Sequence, residues 1–174
     1  MDLNFYLAQI MALLAWIFLI ISYWKNKDDK LLYLQVIACI LLSLNYIFLK
    51  AYTGIFIVFF EIIRDILYIK YENDKKTFIL TLPIYALIGI FTYDGILSLF
   101  SVFAALNDGY SLIYKGKKVV ILGILTYTLW LIYDIYCKSY TSVIAEIIII
   151  VSNIIILIRR KKTKKETINI RRGC

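Results

Sequence analysis

The chain has 174 residues, 62% of them hydrophobic and 18% charged, with a formal net charge of +8. Its mean hydropathy of +0.80 excludes a soluble domain, which has too little polar surface to cover so much apolar material. The histidine count of zero removes the commonest proton shuttle and metal ligand, so no Ser/His/Asp or Cys/His constellation and no zinc site is expected.

Apolar runs of about 20 residues match the hydrocarbon core of a bilayer at about 1.5 Å rise per residue. The first run, 3–23, lacks a basic start and a small-residue cleavage site, so it is read as a retained first helix. The second, 31–49, carries Gln35, Cys39 and Asn45. The third, 52–70, carries Glu61, Arg64 and Asp65. The fourth, 77–93, is uncharged and holds the only proline, Pro83. The fifth, 96–114, contains Asn107-Asp108-Gly109; the sixth, 119–137, contains Asp134; the seventh, 140–158, contains Glu146, Ser152 and Asn153. A basic tail, 159–174, follows. In lipid the backbone must satisfy its own hydrogen bonds, so all seven runs are predicted to be helices.

Lys50-Ala51-Tyr52-Thr53 returns as Lys138-Ser139-Tyr140-Thr141, an offset of 88 residues. At the same offset Lys27 pairs with Lys115 and Lys30 with Lys118. Internal repeats decide fold assignment, so this one sets the architecture. The predicted fold is all-α: a polytopic membrane protein of seven transmembrane helices, arranged as two parallel three-helix bundles joined by a linker helix. The first repeat is 1–70, the linker helix 77–93 and the second repeat 96–158, all within one transmembrane domain, 1–158. A single linker span lets both copies start on the same side of the membrane, as parallel repeats do.

Basic residues set the orientation. One side collects Lys25, Lys27, Lys30, Lys70, Lys75, Lys76, Lys115, Lys117, Lys118 and the tail from Arg159 to Arg172; the other holds only Lys50 and Lys138. Cytoplasmic loops carry the excess of Lys and Arg. The amino terminus is therefore expected outside and the carboxyl terminus in the cytoplasm. A basic run directly after a last span reads as retention and anionic-lipid contact, at about 1 kcal/mol per charge, and no nucleic-acid partner is expected. Tyr23, Trp24, Tyr52, Tyr68, Tyr71, Tyr93, Tyr114, Tyr136 and Tyr140 fall at span ends, as an interfacial aromatic belt does. Trp16 and Trp130 lie deeper, as candidates for lining a cavity.

A central charged side chain in a span costs about 2.5–3.5 kcal/mol and by default faces the bundle interior with a partner. Glu61, Arg64 and Asp65 share one face of helix three by their i, i+3, i+4 spacing. Two readings follow: a structural ion pair within that helix, or Arg64 binding an anionic or polar substrate group, with Glu61 and Asp65 orienting it. At the 88-residue offset Arg64 faces Ser152 and Asp65 faces Asn153, so polarity is kept and charge is not. Glu146 is on a face of helix seven related to that of Asn153; Asn45 is a candidate pathway residue, as are Gln9 and Gln35. Glu61 and Glu146 are the groups through which transport would couple to protons. The spacing of Asp134 and Lys138 predicts a local ion pair. Tyr46 and Asp134 are counterparts in the repeat.

The 3+1+3 plan is similar to that of the SWEET and PQ-loop superfamily of small carriers, although no Pro-Gln pair is present. The charged first loop Lys25-Asn26-Lys27-Asp28-Asp29-Lys30, the stretch Leu49-Lys50-Ala51-Tyr52-Thr53-Gly54, and Glu61-Ile62-Ile63-Arg64 with its counterpart Ser152-Asn153-Ile154-Ile155 more closely resemble the YgjV-like family of bacterial inner-membrane proteins. That resemblance covers nearly the whole chain. It implies a multi-pass protein of the bacterial inner membrane and attaches no substrate.

The expected function is a carrier or facilitator of a small polar solute, with candidate binding residues Arg64, Glu61, Asp65, Asn153, Glu146 and Asn45. The alternative is a non-transporting immunity, sensory or scaffold component. No Walker-type glycine loop, CxxC pair or prenylation box occurs. No enzymatic activity and no cofactor is expected, the partners being the bilayer and a small solute. The sequence leaves oligomeric state open.

Overall fold

The computed structural model describes residues 3–24, 29–70, 75–111, 113–114 and 116–172, and their side chains except at 22–24, 29–33, 35, 65, 68–70, 77 and 160–172. These residues form seven α-helices: α1 (Leu3–Trp24), α2 (Asp29–Phe48), α3 (Tyr52–Lys70), α4 (Lys75–Phe91), α5 (Leu99–Ser111), α6 (Lys117–Cys137) and α7 (Tyr140–Arg172). A 3-10 turn, Ile96–Ser98, leads into α5. The seven predicted runs and the seven helices agree closely. Two ends differ. α5 is only 13 residues long, because Gly95 takes a φ of 85° and the chain enters the helix through the 3-10 turn. α7 does not stop near 158 but continues as helix through most of the basic tail.

Among the described residues, three segments are long and apolar enough to cross a membrane on their own: Leu3–Ile21, Lys117–Cys137 and Tyr140–Arg159. Val36–Phe48 and Phe78–Phe91 are shorter apolar helices among the described residues. α3 has the length of a span but carries three ionisable residues, Glu61, Arg64 and Asp65, within its membrane stretch. Such a helix needs neighbours that supply polar partners.

The surface and the interior are inverted relative to a water-soluble bundle. Ile79, Leu80, Ile90, Phe91, Ile144 and Ile148 are exposed, whereas Asn45, Thr53, Arg64, Asp134, Ser139, Ser142 and Glu146 are buried. Apolar side chains gain nothing by leaving lipid, so interiors are built from small and hydrogen-bonding residues. α1 illustrates the rule. Ala8, Ala12 and Ala15 recur at helical spacing and are fully buried, which lets α1 pack closely along α2. A core of Tyr46, Ile57, Val58, Tyr85, Val102, Trp130 and Tyr133 fills the middle.

Neighbours in sequence pack as neighbours in space: α1 on α2, α2 on α3, α5 on α6, and α6 on α7, with α4 against both α3 and α5. Contacts of α1 with α7 and of α3 with α5 close the bundle. The turns after α2 and α6 have the same geometry. Lys50 and Lys138 adopt left-handed φ angles of 58° and 63°. The Ala51 amide donates to the Tyr46 carbonyl and the Ser139 amide to the Asp134 carbonyl, both at 2.9 Å. The Lys50 amide reaches Ile47 at 3.1 Å, and the Lys138 amide reaches Ile135 at 3.3 Å. Each is a Schellman closure, which satisfies carbonyls that the helix end would leave unpaired.

Candidate functional site

Two polar clusters sit inside the bundle. The first lies at the end bearing the α2–α3 and α6–α7 turns. Tyr46, in the last turn of α2, donates its hydroxyl to Asp134 Oδ1 at 2.8 Å, and both residues are almost completely buried. Ser142, three residues into α7, also hydrogen-bonds Asp134 and accepts from Trp16 Nε1 of α1 at 3.3 Å. The Ser139 hydroxyl lies 3.1 Å from Asn45 Oδ1 and 3.0 Å from Ser142 Oγ, and its one proton serves one acceptor at a time. Asn45 Nδ2 donates to the Ala8 carbonyl at 2.8 Å. Glu146, one turn beyond Ser142, is 2% exposed, and its Oε2 has no hydrogen-bond partner. Asp134 is its charged neighbour.

Around this cluster, Gln9 of α1 ties the α6–α7 turn. It donates to the Lys138 carbonyl at 3.0 Å and accepts from the Thr141 amide at 2.9 Å. On the α3 side the Gly54 amide donates to the Tyr133 hydroxyl at 2.7 Å. Tyr46 stacks on Trp130 at 6.1 Å between ring centroids and tilts against Tyr133 at 5.8 Å.

The second cluster is further along α3. Arg64 is 3% exposed. Its Nη2 lies 2.7 Å from Asp108 Oδ2 of α5, and its Nη1 reaches the Ala105 carbonyl at 3.4 Å. Glu61 Oε1 is 4.0 Å from Nη1, an ion pair at its outer limit. Among the described contacts the guanidinium reaches Asp108 and Ala105 on α5 as well as Glu61 on its own helix. Gly109 of α5 lies beside it: a Cβ there would meet the Arg64 side chain at 3.7 Å, in ordinary contact.

The six candidate residues divide between these places. Arg64 and Glu61 belong to the α3–α5 cluster. Asn45 and Glu146 belong to the turn-end cluster. Asn153 is half-buried on α7 with its amide toward Gly123 of α6. The side chain of Asp65 lies outside the described residues, as do those of Gln35, Tyr23, Trp24, Tyr68 and Tyr71 and the whole of Cys174. The predicted Asp134–Lys138 ion pair is replaced by the Tyr46 bond. Lys138 takes the left-handed position that closes α6, which leaves its side chain exposed while Asp134 turns inward. Spacing along one helix missed Asp108 as the partner of Arg64, and missed Ser139 and Ser142. The repeat did hold a signal: Tyr46 and Asp134 are 88 residues apart, Ser139 lies within the second copy of the repeated turn and Ser142 directly follows it.

Among the described residues no group of three or more His, Cys, Asp or Glu side chains gathers as a metal centre. The described cysteines Cys39 and Cys137 are half-buried and are not joined in a disulfide with each other.

The model of the Imp-YgjV family, described as a bacterial inner membrane protein, matches residues 6–164. No curated protein matches the chain, and no solved structure does so.

Proposed function

The chain belongs to the Imp-YgjV family of bacterial inner membrane proteins, and on that premise we propose that it is a small carrier for a polar solute, built from two parallel three-helix units. It is a multi-pass protein of the inner membrane. The observation that carries the proposal is that two of its buried polar bonds run between the two units. Tyr46–Asp134 joins α2 to α6, and Arg64–Asp108 joins α3 to α5. A residue that meets its own counterpart lies on a two-fold axis, and Tyr46 and Asp134 are such counterparts at the repeat offset. The matching closures at Lys50 and Lys138 support the same axis. Carriers of parallel-repeat design move one repeat against the other around a site at their interface. Here that interface has hydrogen bonds and an ion pair that a polar solute can replace.

In this reading Arg64 receives an anionic or polar group of the solute, with Asp108 and Glu61 holding the guanidinium in place until it arrives. Asn45, Glu146 and Asn153 line the path rather than one compact pocket. The amino terminus faces outward and the carboxyl terminus the cytoplasm, with the basic end of α7 against anionic lipid. The protein acts without enzymatic chemistry.

A second reading, a non-transporting immunity, sensory or scaffold bundle, is favoured by one observation: Arg64 is already neutralised at 2.7 Å by Asp108. Uptake and efflux of small polar solutes by purified protein in liposomes separates the two. Protein-dependent flux that falls in Arg64→Ala supports the carrier. A folded, correctly inserted protein that moves none of the solutes, with Arg64→Ala equally silent in growth, removes it.

A further inference from the structure

We propose that Asp134, Glu146 and Ser142 form a site for a small monovalent cation, of which sodium is the test case. The site goes beyond the solute reading and stands whether or not the chain carries a solute.

Two carboxylates, one on α6 and one on α7, share the buried turn-end cluster. Buried carboxyl groups are paired with opposite charge, coordinate ions or hold a proton. Neither carboxylate has a lysine or arginine partner among the described residues. Arg64, on another part of the bundle, is paired with Asp108 of α5 and Glu61 of α3, and Lys138 is exposed at the turn. The groups facing the pair are Tyr46 from α2, Ser142 from α7 itself, and Trp16 from α1 beside Ser142. All are neutral donors. They satisfy Asp134 through two hydroxyls but leave Glu146 Oε2 with no partner.

The donor set then selects the ion. Every available atom is a hard oxygen, which excludes soft transition metals. A calcium site takes 6–8 oxygens, and magnesium keeps several waters. Two carboxylates and a hydroxyl in a closed interior supply neither arrangement. A monovalent ion costs less to dehydrate than either divalent ion. Glu146 Oε2, Asp134 and Ser142 Oγ lie on the two helices joined by the α6–α7 turn, so an ion between them locks α7 to α6.

The test uses the full chain in nanodiscs. Melting is followed in sodium chloride and in choline chloride at equal ionic strength, with direct binding of radioactive sodium alongside. Saturable binding and a sodium-specific rise in melting temperature are expected, both lost in Glu146→Gln and Asp134→Asn. Ser142→Ala keeps the carboxylates and is expected to weaken sodium binding about tenfold or more; it decides the matter if either carboxylate variant fails to fold. Equal melting in the two salts overturns the proposal. So does sodium binding that is unchanged in Glu146→Gln or in Ser142→Ala, or stabilisation by acid in choline chloride with no sodium bound, which would make the missing partner a proton. Because the readout is binding and not flux, a silent liposome assay leaves this result intact.

Discussion

At the scale of single residues, Gly54 shows how little slack the turn end has. A Cβ at this position would lie 2.9 Å from the Tyr133 hydroxyl and 3.0 Å from the Tyr46 ring, and the Gly54 amide already donates to that hydroxyl. Both rings are buried and packed against Trp130, Tyr46 stacked on it and Tyr133 edge-on, so neither can retreat cheaply. Gly54→Ala is expected to destabilise the fold by about 1–3 kcal/mol through overpacking, read as a lower midpoint in denaturant titration of the purified protein. Tyr46→Phe is the gentler companion. It keeps the ring and deletes one interhelical hydrogen bond, for which a loss of about 0.6–1.7 kcal/mol is expected; an unchanged midpoint would mean that Asp134 is satisfied without it. Neither effect was legible in the sequence. The i, i+4 relation of Asp134 to Lys138 read as a local pair because spacing along one helix is visible and the neighbouring helix is not. Tyr46 stood out only as the repeat counterpart of Asp134, which is a statement about symmetry that turned out to coincide with contact.

Between elements, the Arg64–Asp108 pair is the strongest joint of α3 with α5. The helices themselves were readable, since a run of about 20 apolar residues bounded by charged loops has few alternatives in a bilayer. The face of α3 that carries Glu61 and Arg64 was readable too. What periodicity withheld is the partner across the gap, because packing of α5 on α3 is decided by which small residues allow close approach. Ala104, Ala105 and Gly109 do this on α5, all of them buried. The pair predicts strongly non-additive energetics. Removing one member leaves the other uncompensated in an interior, at about 3–5 kcal/mol for a fully buried pair. Asp108 is 36% exposed, so its removal belongs at the low end or below, whereas Arg64 is 3% exposed. Arg64→Ala and Asp108→Ala are each expected to lower stability clearly, and the double variant to cost much less than their sum. Additive losses in a double-mutant cycle would show that the two side chains are not coupled.

For the whole molecule, the decisive quantity is the sidedness of the charge. Lys50 and Lys138 occupy matching left-handed positions at the ends of α2 and α6, while Lys117 opens α6 at the opposite end of the bundle. An even number of helices separates the first two, so a seven-span protein places both on one face. On the proposed orientation, the excess of basic residues on the other face puts that first face outside. Lys50→Cys and Lys138→Cys, each in a chain whose three native cysteines are replaced, are expected to react with a membrane-impermeant maleimide in intact spheroplasts. Lys117→Cys is expected to react only after lysis. Labelling in the reverse pattern would invert the orientation and move the turn-end cluster, with its orphaned Glu146 oxygen, to the cytoplasmic half. Labelling of Lys50→Cys but not Lys138→Cys would do more. It would place an odd number of crossings between the twin turns and break the two-fold relation on which the carrier reading stands.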